Sequence, residues 1–385
     1  MSSPVSVSSG ASASARRALL IRRISSYVFL VGVPAVWLLG SVVHLVVHHF
    51  QAQAGFDLRA AFLPAAHAVI HGDSPYPGLR DPSLASQTAY VYTPFVAFVL
   101  SPLLAVSANI AVGIGLVAAL VCVPAVLYLA GVRDVRCYGV VLAWSPTYNA
   151  VQNLNISLLI AFGVALAWRY RSSARLSGIV LAATLATKIF VWPLLLWPLA
   201  ARRRRLFVVA LVGGLLLVVV SWLAIGFAGL ADYPRLLRSV TGHEETDSYS
   251  ISGALRVLGL GVVAARGAAL LATGGLLGAC LVFGRRGDEG RALVAAVLAS
   301  LASTPVLWQH YLMLLLVALA VVRPRLSVAW FLPILLWLSP TTGNGSSGQT
   351  LLVPLVAAAV GAACLLPAEG PWPLVGRFRR AAATT

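Results

Sequence analysis

The chain is poor in charge. Only 10% of its 385 residues are Asp, Glu, Lys or Arg, where a soluble domain carries about 25%. With 59% hydrophobic residues and a mean hydropathy of +0.90, this composition excludes a soluble globular protein. Acidic residues are scarcest, eleven against twenty-eight basic ones, which leaves a net charge of +17. That sign would suit a nucleic-acid partner. The arginines, however, stand in short clusters between apolar runs, as the positive-inside rule for membrane proteins produces. Period-two alternation is missing too, and continuous Leu/Ala/Val-rich runs exclude a membrane barrel. The four cysteines (Cys122, Cys137, Cys280 and Cys364) lie within or beside apolar runs and have no CxxC spacing. They read as small buried hydrophobes rather than disulfides or metal ligands.

What is present is an all-α polytopic membrane protein. At ~20 apolar residues per crossing, the runs have room for about ten to twelve helices. Residues 1–15 are Ser/Ala-rich and read as disordered, within a cytoplasmic N-terminal segment, 1–23, that holds Arg16, Arg17, Arg22 and Arg23. The run from Ile24 to Phe50 is too long for a signal-peptide core and no small-residue cleavage site follows it, so it reads as an uncleaved first span. The membrane domain is expected over 24–367, with a cytoplasmic tail at 368–385. Further spans are expected near 89–106, 108–131, 137–150, 153–168, 176–200, 206–229, 255–283, 292–308, 309–322, 326–342 and 350–367.

Arg202–Arg205, Arg285, Arg286, Arg291, Arg323, Arg325 and the arginines at 377, 379 and 380 recur every second crossing, which puts both termini in the cytoplasm. The first half admits two arrangements. If each run from 89 to 200 crosses once, Arg133, Arg136, Arg169, Arg171 and Arg175 lie outside, against the charge rule. If 176–200 is a hairpin turning near Lys188 and 89–106 only dips into the membrane, they move inside. The external face then gathers the segment 56–92, the loop 231–253 with Asp232, Glu244, Glu245 and Asp247, the Trp308-Gln309-His310 break and 343–349.

Segment 56–92 is the candidate catalytic loop, with three of the eleven acids. Asp57 begins it, either a general base or a solvated loop residue. Leu58, Ala61, Phe62, Ala65, Ala66 and Val69 follow at helical spacing, as in a helix lying on the membrane surface. His67 and His71 are four apart, but no third ligand is evident and no metal is expected. Tyr76 and Tyr92 are either interfacial anchors or a site wall. Lys188 stands in an apolar run, and an ionisable residue there costs about 2.5–3.5 kcal/mol on insertion scales and so implies a partner; snorkelling is the plainer account. His310 interrupts a second apolar stretch, either as a buried hydrogen-bonded histidine or as a site residue. Asn149, Gln152, Asn153 and Asn155 bring amides into apolar surroundings, for interhelical bonds or for sugar hydroxyls.

Taken in order, these elements resemble glycosyltransferase family 87. Asp57 after the first span, then Gly72-Asp73-Ser74-Pro75-Tyr76 and Tyr90-Val91-Tyr92-Thr93-Pro94, resemble its external-loop signature. Asn153-Leu154-Asn155 with Leu158 and Leu159 is similar to its Gly-Gln-x-Asn-Leu-Leu element, although Gln152-Asn153 stands where the family has Gly-Gln. The segment from Ala183 to Phe190 around Lys188, closed by Arg202–Arg205, resembles its lysine segment, and Trp308-Gln309-His310-Tyr311 its Trp-x-His-Tyr element. The resemblance spans about residues 24–325.

It implies a GT-C-type bundle, with surface helices in the external loop after the first span, that takes a sugar from a polyprenyl-phosphate donor with inversion. Asp57 would be the general base on the acceptor hydroxyl. Lys188 would neutralise the phosphate leaving group, helped by Arg59 or His310, and Tyr76, Tyr92, Gln152, Asn153 and Asn155 would line the substrate site. No metal or other cofactor is called for. The implied partners are the lipid donor, a glycolipid or lipoglycan acceptor of the cell envelope, and the bilayer of the plasma membrane, with the active site on its external face. The first expectation is a polyprenyl-phosphomannose-dependent α-mannosyltransferase; the alternative is an arabinofuranosyltransferase. A lipid or solute transporter would share the helix count, but would more typically show inverted repeats, and no repeat is visible.

Overall fold

The computed structural model describes residues 9–84, 88–340 and 345–367. Among these, all regular structure is helical. Helix α1 (Ser9–Tyr27) passes through a π-turn at Val28–Gly32 into α2 (Val33–His48). Helix therefore begins inside the stretch expected to be disordered; residues 1–8 and the tail 368–385 lie outside the described residues. A further helical segment runs from Leu58 through α3 (Leu63–Ile70). The stripe expected to lie on the membrane is Leu58, Ala61, Phe62, Ala65, Ala66 and Val69, and all six are buried. Its helix packs on α4 (Pro94–Leu100). The periodicity was legible, but the stripe faces protein rather than lipid.

The chain then continues through α5 (Ala108–Ala130), α6 (Val135–Leu142), α7 (Ser145–Asn153), α8 (Ser157–Arg169), α9 (Ala174–Thr187), α10 (Leu196–Ala200), α11 (Arg204–Ala224), α12 (Tyr233–Glu244), α13 (Ile251–Val257), α14 (Val262–Arg285), α15 (Glu289–Ser303), α16 (Leu314–Val322) and α17 (Ser347–Leu365). Among the described residues five helices are long and apolar enough to cross a bilayer: Ala15–His48, α5, α11, α14 and α17. Helices α7 and α8, bent by 112° at their junction, make a sixth if counted as one broken span. The other apolar runs form shorter helices, among them Leu58–Ile70, Pro94–Ala105, Ala174–Thr187, Ile189–Ala200 and Gln309–Val322.

Arginine contacts tie one end of the bundle together. Asp134 pairs with Arg136 at 2.8 Å and accepts from the backbone N–H of Leu326 at 3.1 Å. Arg323 donates to the carbonyl of Ala363, and Arg291 to that of Leu366. Glu289 pairs with Arg203 at 2.9 Å and faces Arg171 at 3.5 Å, while Arg203 also donates to the carbonyl of Arg171 at 2.9 Å. Since Arg171 precedes α9 and Arg203 follows α10, the segment between them leaves this basic end and returns to it. Lys188 sits at the turn, between α9 and the 3-10 stretch Ile189–Leu195.

The hairpin arrangement of 176–200 is therefore the one adopted, and it groups Arg171 with Arg202–Arg205. Segment 94–105 also turns back. Its twelve residues, roughly 20 Å of helix, fall short of the ~30 Å hydrocarbon core. It starts at Thr93, whose hydroxyl donates to the carbonyl of Ala186 beside the Lys188 turn. It is followed by α5, whose first turn holds Asn109, bonded to Arg59.

The core runs through α15 and α16. Every residue from Ala292 to Ala302 and from Leu314 to Ala320 is buried, as befits helices apolar all round. By contrast Val36 of α2, Leu215 of α11 and Leu271 of α14 are 73%, 58% and 79% exposed. In a bilayer these outer helices would present that surface to lipid. The break after Ser303 separates α15 from the 3-10 turn Gln309–Met313, and with the Lys188 turn it leaves room for a cavity at the end opposite the arginine cluster.

Candidate active site

A cavity of about 680 Å³ opens at that opposite end. Asp57, Tyr92, Gln152, Asn153, Asn155, Lys188, Glu244, Trp308, His310 and Tyr311 all line it. Most of its polar groups come from places where helices stop, because only there can backbone and side chains leave the helical ladder.

Asp57 directly precedes the helix at Leu58 and is half-buried. Gly55 positions it: the Gly55 N–H donates to the carbonyl of Gln152 at 2.7 Å, with φ at +66° and Val112 2.8 Å from where a Cβ would stand. Only glycine fits there. The partner turn is strained in turn, since Leu154 ends α7 in the left-handed region at φ 52°, ψ 46°, a conformation uncommon outside glycine and asparagine. This tight bend between α7 and α8 delivers Asn155, whose Nδ2 donates to Asp57 Oδ2 and lies 3.4 Å from the Tyr92 hydroxyl. Asn155 Oδ1 accepts from both the backbone N–H and the hydroxyl of Ser157, which fixes the amide so that its NH2 faces the carboxylate. Burial pushes the Asp57 carboxyl up to about 6, against the opposing pull of the Asn155 bond and of Lys188. A carboxylate held near neutrality is suited to taking a proton.

Lys188 is the chain's single lysine. Its ammonium donates to the Tyr311 hydroxyl and lies over three aromatic rings, 4.2 Å from the centroid of Tyr311, 4.5 Å from Tyr92 and 5.7 Å from Phe190. Cation–π attraction compensates part of its desolvation and leaves the charge facing the cavity, available to an anion. His310 is buried, with Nδ1 3.0 Å from Asn149 Oδ1 and Nε2 without a hydrogen-bond partner among the described residues. With that amide oxygen as acceptor, the proton is assigned to Nδ1 and Nε2 is left to accept.

Tyr92 is held from behind. The hydroxyls of Tyr233, Tyr76 and Tyr90 donate to the successive carbonyls of Val91, Tyr92 and Thr93, at 2.9, 2.8 and 2.6 Å. Tyr76 itself stacks on Trp222 with ring centroids 5.2 Å apart. It thus supports the wall without lining the cavity. Arg59 also stays outside: it donates to the carbonyl of Ala54 and to Asn109 Oδ1 and stacks over Phe50. It braces the loop against α5 rather than reaching the cavity. Gln152 Nε2 donates to Gln53 at 3.2 Å across the rim. His67 and His71 form a ring pair 4.4 Å apart, and among the described residues no group of three or more His, Cys, Asp or Glu has metal-binding geometry.

Tyr311 and Glu244 are among the lining residues that stand outside the sequence candidates. Tyr311, next to His310, is the hydrogen-bond partner of Lys188. Glu244 comes from α12, whose Tyr233, Leu237, Val240, Thr241 and Glu244 share the face that lines the cavity, while Arg235, Arg238 and His243 point away and are exposed. The i, i+4, i+7, i+8, i+11 spacing of that face was a readable signal, hidden because the loop 231–253 is polar overall.

The family model described as glycosyltransferase family 87 matches residues 90–307. That stretch is more than half of the chain and contains Tyr92, Asn155, Lys188 and Glu244; His310 lies just past its end, and Asp57 well before its start. No curated protein and no solved structure matches.

Proposed function

The chain belongs to glycosyltransferase family 87, and from that premise we propose that it is a polyprenyl-phosphomannose-dependent mannosyltransferase acting on a cell-envelope glycolipid or lipoglycan at the external face of the plasma membrane. The observation that carries the proposal is the meeting of Asp57 and the lone Lys188 in one cavity, although 130 residues separate them in the chain. Inverting transfer needs a base on the acceptor and a cation on the departing phosphate, on opposite sides of the anomeric carbon. Asp57 takes the acceptor hydroxyl's proton as its oxygen attacks that carbon. The bond to the phosphate oxygen breaks, and the lipid phosphate leaves against the Lys188 ammonium.

Asn155 and Tyr92 orient the base, and the three-ring cage keeps the cation in place. His310 Nε2, free to accept, suits a sugar hydroxyl better than a phosphate. Arg59 holds the loop rather than the donor. Gln152 and Asn153 line the rim, where amides can donate to and accept from hydroxyls together.

Purified protein supplied in turn with synthetic polyprenyl-phosphomannose and polyprenyl-phosphoarabinose, with a membrane lipid extract as acceptor, tests the donor. Transfer of mannose supports the proposal. Transfer of arabinose alone would replace it with the arabinofuranosyl reading. Flux of lipid or solute across sealed vesicles without any transfer would favour a transporter.

A further inference from the structure

The cavity holds a second carboxylate that the reaction above leaves without a role. Glu244 is 7% exposed and has no hydrogen-bond or ion-pair partner among the described residues. Its charge interacts with those of Lys188 and Asp57. A buried carboxylate left open to a cavity lacks the donors that normally offset its desolvation.

Its position is also built. The next residue, Glu245, is fully buried and clamped by two arginines, with Arg256 Nη1 at 3.0 Å and Arg266 Nη2 at 2.8 Å. Gly253 lets the turn close on it, because a Cβ there would stand 2.1 Å from the Glu245 carbonyl oxygen. Ser248 adds a further bond to that carbonyl at 3.0 Å. The clamp fixes the end of α12 and with it the direction of Glu244.

Resting on the reaction described under Proposed function, the geometry points to Glu244 as the residue that recognises the transferred sugar, accepting hydrogen bonds from ring hydroxyls of the lipid-phosphate donor. The choice among ligands follows from charge and placement. A carboxylate beside the donor phosphate would repel it, so Glu244 does not hold the phosphate. In an inverting transfer the sugar ring lies between the base and the leaving group, hence between Asp57 and Lys188, and Glu244 is the remaining charged group that lines the same cavity. Hydroxyl-to-carboxylate bonds are charge-assisted and directional, which gives selectivity among sugars that differ in one hydroxyl.

The test is steady-state kinetics of the detergent-solubilised full chain with whichever donor it transfers. Glu244→Gln, nearly isosteric, is expected to raise the donor KM at least tenfold, with the acceptor KM within about twofold of the parent. In the unaltered protein, a series of donors each lacking one ring hydroxyl should contain at least one with a comparable rise, and that analogue should show no further rise in Glu244→Gln. An unchanged donor KM, an equal rise for both substrates, or a deoxy series with no sensitive position would overturn the assignment. If Glu244→Gln does not fold, Glu244→Asp, which keeps the charge but draws it back by one methylene, replaces it: a rise confined to the donor KM supports the assignment and an unchanged donor KM overturns it. Failure of the unaltered protein to transfer any sugar would instead count against the glycosyltransferase reaction on which this inference rests.

Discussion

Replacing Asp57 with asparagine should inactivate the protein and stabilise it at the same time. The acidic group moves from 3.8 to about 6 on folding, chiefly through burial. At about 1.4 kcal/mol per pH unit, the ionised form is therefore up to about 3 kcal/mol less favourable in the fold than in the unfolded chain. The sign follows from the direction. A carboxyl with a raised folded value favours folding fully below 3.8, and that contribution is lost as pH rises through about 6. Asparagine, neutral at every pH and still able to accept from Asn155 through its amide oxygen, does not lose it. Asp57→Asn should thus unfold at a higher temperature than the parent at pH 8, with the difference shrinking as pH falls to 5. Transfer should drop by about 10²–10⁴-fold, the usual contribution of a general base, and in the parent transfer should decline as pH falls through about 6. Unfolding in detergent by intrinsic fluorescence, run at both pH values alongside donor turnover, reads both effects. Full activity, or a variant less stable than the parent at pH 8, would refute the account of Asp57.

Lys188→Met should cost about 10²–10³-fold in donor kcat/KM, in line with the loss of one preorganised charge. Lys188→Arg should recover little, because the planar guanidinium must fit a cage built for an ammonium; near-parental kinetics in either variant would remove the lysine from the reaction. Glu245→Ala leaves Arg256 and Arg266 without their shared partner, and since both keep contact with water the destabilisation should be about 3 kcal/mol, at the lower end for a broken buried pair; an unchanged unfolding temperature would show that the clamp does not hold the α12 end. The sidedness can be read with a membrane-impermeant maleimide on intact cells, against a low background because all four native cysteines are buried. Arg235→Cys on the outer face of α12 should label and Arg204→Cys at the basic end should not; the reverse pattern would invert the orientation.

The legible part of the site was the part that breaks a rule of membrane sequences. Asp57, Lys188, His310 and Asn155 are polar groups beside or inside apolar runs, and the structure brings all four to one cavity. Their roles come less directly. Arg59 is two residues from Asp57, yet a helical offset of two turns a side chain to a different face, and Asn109 holds it there. Tyr76 lies within the same loop signature as Tyr92 but packs on Trp222, a partner from α11 that nothing local foretells. Glu244 was hidden for the opposite reason: in a loop rich in charge, the buried Glu244 and Glu245 look like exposed residues such as Asp232 until the face of α12 is known. The hairpin at Lys188 was the one of two arrangements that agrees with the charge rule, and the Arg171–Arg203–Glu289 contacts, long-range in sequence, support it.

In the proposed reaction the sugar leaves its lipid phosphate between Asp57 and Lys188. A structure of the protein with a non-transferable polyprenyl-phosphate-sugar analogue tests it most directly. A phosphate oxygen about 3 Å from Lys188 Nζ, with the anomeric carbon turned towards Asp57, is the expected result. A phosphate bound at Arg256 and Arg266, or at the arginine-rich opposite end, with the cavity empty of sugar, would contradict it.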